Sequence, residues 1–115
     1  ALRSFSYMDD AVMRSLDIHE CLDNTLLILN SRLKNTITVI KEYGDIPQVP
    51  SFAGQLSQVF TNLISNAIDA LSECAANQTQ PDWQPQITLR TTVLPPGPTL
   101  AKAASSVLIQ IADNG

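Results

Sequence analysis

Gln55-Leu56-Ser57-Gln58-Val59-Phe60-Thr61-Asn62-Leu63-Ile64-Ser65-Asn66-Ala67-Ile68-Asp69-Ala70-Leu71-Ser72-Glu73 carries the strongest periodic pattern in the chain. Its apolar residues recur at helical spacing, which predicts a helix from Ser51 to about Ala76 with Leu56, Val59, Phe60, Leu63, Ala67, Ala70 and Leu71 on one apolar face. Helical positions advance by about 100° each, so residues four and seven apart nearly superpose. Gln55, Gln58, Asn62, Asn66, Asp69 and Glu73 therefore line up as a polar ridge. A solvated helix face also yields such a ridge, but it favours Lys, Glu and Arg, whereas Asn is a poor helix former. Asn62 and Asn66 are moreover flanked by Leu63, Ile64, Ala67 and Ile68. Two carboxamides a turn apart, at the edge of an apolar face, suit neutral oxygen ligation. Magnesium takes hard oxygen donors, keeps several waters and shares its shell with substrate phosphates. One carbonyl from Asn66 would suffice, with Asn62 holding a water or phosphate oxygen beside it.

Outward from this helix the elements alternate. Asp17-Ile18-His19-Glu20 reads as a helix start, with Asp17 able to accept from first-turn amides and Glu20 placed to reach back. The stripe Ile18, Leu22, Leu26, Leu29, Leu33 carries that helix to about Asn35. Residues 36–43 are rich in β-branched side chains and read as a strand, which stops at Gly44-Asp45; Pro47 and Pro50 impose extended or turn geometry nearby. After a polar loop containing Trp83, residues 86–93 alternate as a half-buried strand. A second loop, Pro95-Pro96-Gly97-Pro98, leads to a small-residue stretch and a last strand over 107–112. Residues 1–16 are polar with scattered apolar positions (Leu2, Phe5, Met8, Val12, Met13, Leu16) and are expected to be a linker or the tail of a longer helix. This order predicts an α+β two-layer sandwich with a mixed sheet and helices on one face.

In the last strand Val107, Ile109 and Ile111 share one face, and Asp113 continues that parity. If this face packs under the helices, Asp113 enters the same layer as Asn62 and Asn66. An unpaired carboxylate there would cost on the order of several kcal/mol, and the exocyclic amino group of a purine is a suitable donor. Asp113-Asn114-Gly115 is equally a strong turn signal.

Composition narrows the field. The 115 residues are 44% hydrophobic and 16% charged, enough for one domain with a real core. A net charge of −4 and a pI near 4.6 argue against a nucleic-acid binder working by phosphate neutralisation. Cys21, Cys74 and the single His19 fall short of the roughly four clustered ligands of a structural zinc site. Two cysteines in a chain of this size read as reduced thiols and a cytosolic setting. No apolar run is long enough to span a bilayer, and the N-terminus lacks the apolar stretch of a signal peptide. The start without Met and the abrupt end at Gly115 lead us to expect a piece of a larger protein.

The stretch from Gln58 to Leu71 resembles the N box of the ATP-binding domain of bacterial two-component sensor histidine kinases, and Ile111-Ala112-Asp113-Asn114-Gly115 resembles the opening of the first glycine box, D-x-G-x-G. The wider GHKL superfamily includes gyrase-type topoisomerases, mismatch-repair ATPases and heat-shock chaperone ATPases. In element order the resemblance covers about residues 17–115, and it implies a Bergerat-type fold, incomplete at the C-terminus, that binds ATP and Mg2+. Position by position, it implies that Asn66 ligates magnesium on the ATP phosphates and that Asn62, the catalytic candidate, contacts the phosphate side. It implies that Asp113 bonds the adenine amino group, that Gly115 lets the backbone approach the base, and that Asp69 lies near the nucleotide. Residues 1–16 then become a linker or the tail of the dimerisation and phosphoacceptor hairpin.

One departure separates the branches of the superfamily. Hydrolytic members look to have Glu where this chain has Asn62, because a water nucleophile needs a general base. A neutral imidazole acceptor needs none at this position, since its nitrogen is already nucleophilic near neutral pH. Asn62 thus favours a kinase, whose work is positioning and charge stabilisation of the transferring γ-phosphoryl group. His19-Glu20 imitates the phosphoacceptor pair, but Cys21, Leu22 and Asp23 follow instead of an apolar residue, Arg and Pro. His19 is therefore read as a first-turn helix residue.

The implied partners are ATP, a phosphoacceptor helical domain of the same or a partner subunit, and a response-regulator receiver domain, in the cytoplasm and without direct membrane contact from this segment. The lid and later glycine boxes are not in the sequence, so this stretch alone is expected to be inactive. Two other readings stand beside it: a GHKL-type ATPase or protein serine kinase, and a non-catalytic interaction domain of the same fold.

Overall fold

In the computed structural model, which describes residues 13–77, 79–95 and 106–115, the first helix starts at the expected cap. Asp17 is extended (φ −82°, ψ 108°), and its carboxylate accepts from the His19 and Glu20 amides at 3.0 and 3.3 Å as α1 (Ile18–Ile28) begins. The predicted run to Asn35 does not continue as one helix. It breaks at Leu29 into a separate turn, α2 (Asn30–Leu33), and Asn35 then takes a positive φ of 62°. Asn tolerates left-handed backbone because its short side chain can bond locally. The chain thereby turns, and β2 (Thr38–Tyr43) starts two residues later than expected.

Residues 14–16, assigned from the sequence to a linker or helical tail, form β1 (Arg14–Leu16), antiparallel to β3 (Val49–Ser51) with Ser15 opposite Pro50. Proline has no amide to donate, so its place in a two-stranded ribbon fits. The apolar positions from Leu2 to Val12 and the loop from Pro96 to Ala104 lie outside the described residues.

The long helix is α3 (Ala53–Ala76). It is followed by β4 (Gln86–Leu94) and β5 (Ser106–Asp113), and the sheet order is β2-β4-β5. β2 is parallel to β4, with Val39 opposite Ile87; β4 is antiparallel to β5, with Leu89 opposite Ile111 and Ile87 opposite Asp113. The central strand is accordingly the most buried, through Ile87, Leu89 and Thr91. Along β5 the half-buried Val107, Ile109 and Ile111 alternate with exposed neighbours, as expected. α1 packs on α3, and α3 packs on β4 and β5. This is an α+β fold with a mixed sheet, consistent with a two-layer sandwich.

The buried face of α3 differs from the predicted one. It is Phe60, Ile64, Ala67, Ile68 and Leu71, whereas Val59 and Leu63 are 49% and 47% exposed and Ala70 is exposed. Apolar residues occupy more than half the circumference of this helix, so spacing alone fits several centres for the buried stripe. Packing chose the one through Ile64 and Ile68. Among the described residues no helix is long and apolar enough to cross a membrane.

Candidate functional site

The rotation of α3 decides where the carboxamides stand. Asn62 and Asn66 each stand two residues from Ile64, about 160° around the helix, and both are exposed. They are not at the edge of the buried stripe, as the sequence led us to expect, but across from it. Among the described residues no hydrogen bond holds either side chain. Gln55, Gln58, Asp69 and Glu73 are exposed with them, so the ridge exists as a surface feature.

Asp113 is exposed at the end of β5, and its Oδ1 accepts the Gly115 amide at 3.0 Å. That closes a local turn, which the sequence signal anticipated. The same turn lies against α3. A Cβ on Gly115 would stand 3.4 Å from Leu71 Cδ2 and 3.6 Å from Cys74 Cβ. At about 1.5 Å rise per residue, those contacts fall roughly 8–12 Å along the axis beyond Asn66. The turn therefore meets α3 on its buried side, through Leu71, whereas the carboxamides stand on the opposite, exposed side. Asp113 does not share a layer with Asn62 and Asn66 as the strand parity led us to expect, and no hydrogen bond joins them among the described residues.

Two residues of this region were not found from the sequence. Asn114 fastens the turn: its Oδ1 accepts from the Gln86 amide at 2.9 Å, its Nδ2 donates to Gln84 O at 2.8 Å, and its carbonyl accepts from Trp83 Nε1 at 3.3 Å. Arg32 of α2 forms an ion pair with Asp69. Both pairings span about thirty residues or more of sequence, which leaves no periodic trace. The motif Asp-Asn-Gly was the only available hint for Asn114.

His19 is used structurally. Its ring stacks on Tyr43 with centroids 4.1 Å apart, and Nε2 lies 2.7 Å from Thr91 Oγ1. Thr91 Oγ1 also accepts the Gly44 amide at 2.9 Å, so the helix start, the end of β2 and the central strand meet there. Gly44 has to be glycine at this crossing, because a Cβ would sit 2.5 Å from Thr91 O.

A groove of about 470 Å³ is lined by Asp23, Leu26, Leu33, Lys34, Ile37 and Val39, away from Asn62, Asn66 and Asp113. The candidate site is thus an open ridge and not that cavity. Among the described residues no three His, Cys, Asp or Glu side chains gather to hold a metal ion. A cation on this ridge would have to complete its shell from a ligand's own oxygens. The chain matches no protein-family model, and no curated protein matches it.

Proposed function

We propose that this chain is the ATP-binding part of a sensor histidine kinase, with a Bergerat-type nucleotide site formed along α3. In this reading it presents the γ-phosphate of Mg-ATP to a histidine on an adjacent helical domain, and a cytoplasmic response regulator receives the phosphoryl group. The supporting observation is the pair of carboxamides, Asn62 and Asn66, one turn apart on the uncovered face of α3.

The donor set fits the group it would hold. The Asn66 carbonyl is a neutral hard oxygen on an open surface, and a magnesium ion bound there shares its shell with phosphates. Asn62 is placed beside it to orient a phosphate oxygen or water. As an amide it takes no proton from a nucleophilic water, which weighs against hydrolysis and for an acceptor that is nucleophilic already. Asp113 gives one oxygen to the Gly115 amide and keeps lone pairs for an adenine amino group. In this reading Gly115 lets the backbone approach the base. Phosphotransfer is proposed for the parent protein and not for this stretch alone, since its one histidine is engaged with Tyr43 and Thr91.

The test is binding of a non-hydrolysable ATP analogue to the parent protein, titrated with and without magnesium. Magnesium-dependent affinity that Asn66→Ala reduces at least about tenfold, with the far-UV spectrum unchanged, is the expected result. Absence of any magnesium-dependent affinity in the parent protein would remove the proposal. Incubation with labelled ATP then separates the branches: acid-labile, base-stable label on protein supports the kinase, and steady phosphate release without it supports an ATPase.

A further inference from the structure

A carboxylate three residues past Asn66 is an awkward neighbour for a polyphosphate. Within α3 the only charged residues are Asp69 and Glu73, and no Lys or Arg occurs in that helix. The ridge taken alone is therefore purely negative, in a chain whose net charge is −4. One cation is held against it. Arg32 reaches from α2 and ion-pairs with Asp69, and no other cation among the described residues is paired to α3.

We infer that Arg32 is a positioning residue for nucleotide binding: it masks the Asp69 carboxylate, so that the surface beside Asn66 meets phosphate with a neutral pair in place of a bare negative charge. The inference rests on the reading of α3 as a nucleotide site. A purely structural role is the competing explanation, and the exposure of the pair argues against it. The two side chains are 42% and 66% exposed, a setting in which an ion pair adds little to folding stability. The same charges act on an incoming anion within about one Debye length, which is roughly 8–10 Å at ordinary salt. One helical turn from Asn66 lies inside that range.

The experiment measures affinity of the parent protein for the magnesium complex of a non-hydrolysable ATP analogue, at low and high ionic strength, in four variants. Arg32→Gln is expected to weaken binding about three- to tenfold at low salt, with the loss shrinking as salt is raised. Asp69→Asn is expected to lose less affinity than Arg32→Gln. The double variant Arg32→Gln with Asp69→Asn is expected to bind as Asp69→Asn alone does, and Arg32→Lys to keep most of the parent's affinity.

A structural bridge behaves differently, because removing either partner breaks it. Equal losses in both single variants, or a double variant as weak as Arg32→Gln, would overturn the inference while leaving the nucleotide site standing. Unchanged affinity in Arg32→Gln would overturn it too. If the parent protein itself shows no magnesium-dependent binding, the nucleotide reading fails, and the masking role fails with it.

Discussion

Asp23 receives two donors at once, the Tyr43 hydroxyl at 2.8 Å and the Lys41 ammonium at 2.9 Å. Burial alone would raise its carboxyl, but bonds from Lys41 and Tyr43, with the nearby positive charge, hold it below the usual carboxylate range. Tyr43 moves the other way: burial, then the bond to Asp23 and the charge on it, push the phenol well above its ordinary value. The signs fix two pH windows. A depressed carboxyl lends stability that is present above its unfolded value, near 3.9, and is lost as pH falls through the folded one. A raised phenol lends stability that is complete below about pH 10 and is lost as pH rises toward the folded value. Urea unfolding midpoints of Tyr43→Phe from pH 3 to pH 11 should therefore fall less steeply above pH 10 than those of the parent chain, with a smaller decline on the acid side. Parallel curves would show that the Tyr43–Asp23 bond contributes nothing in solution. At this scale the sequence showed the Asp17 cap on His19 and Glu20, though the return bond expected from Glu20 does not form among the described residues. Arg32 with Asp69 and Asn114 with Gln84 and Gln86 were not legible, because nothing local marks a pairing across about thirty residues.

At the scale of elements, existence was easier to read than orientation or ends. The long helix and all three strands of the larger sheet lie close to where apolar periodicity and β-branched content put them, with β2 starting two residues late. The first helix was drawn too long, since the stripe through Leu29 and Leu33 stays in phase across the break at Leu29 and hides it. β1 and β3 are three residues each, too short for a period of two to register. α3 is the case with functional weight. Its apolar residues include Val59, Leu63 and Ala70 on the side away from the core, and including them in the stripe drew the carboxamides toward the interior. The rotation is open to a direct check. Ile64→Ala removes a side chain with 0% exposure and should cost about 2–5 kcal/mol, whereas Leu63→Ala, at 47% exposed, should cost about 1 kcal/mol or less. Chemical denaturation of the two variants under identical conditions decides it, and a larger loss for Leu63→Ala would mean that the helix is turned as the sequence pattern first indicated. Val59 and Leu63 also give the ridge an apolar flank, so the face that carries Asn62 and Asn66 is not uniformly polar.

Across the whole molecule, the α+β class followed from the order of helices and strands, while the placement of β4 between β2 and β5 could not be read from periodicity alone. Pairing partners are chosen by long-range packing. That packing forms two apolar clusters, a larger one including Leu33, Ile37, Ile64, Ile68, Leu71, Ile87 and Leu89, and a smaller one of Ile18, Leu22 and Phe60. Two features tie them together. α3 contributes Phe60 to one cluster and, one turn later, Ile64 to the other; Tyr43 packs against both. A continuous helix transmits disorder at one end to its neighbours, so the clusters should melt as one unit, as small domains generally do. Trp83, the only tryptophan, reports on the larger cluster, against which it packs, and on the Asn114 turn that holds its indole. Phe60→Ala strikes the smaller cluster and should cost about 3–5 kcal/mol. If the tie is real, the Trp83 fluorescence transition and the far-UV transition move together to lower denaturant in this variant and remain superimposable. A Trp83 transition that stays at the parent's midpoint while the far-UV signal shifts would show two separately melting halves. The carboxamide ridge on α3 would then span both, with Gln55 and Gln58 on the half that melts first and Asn66 on the half that holds.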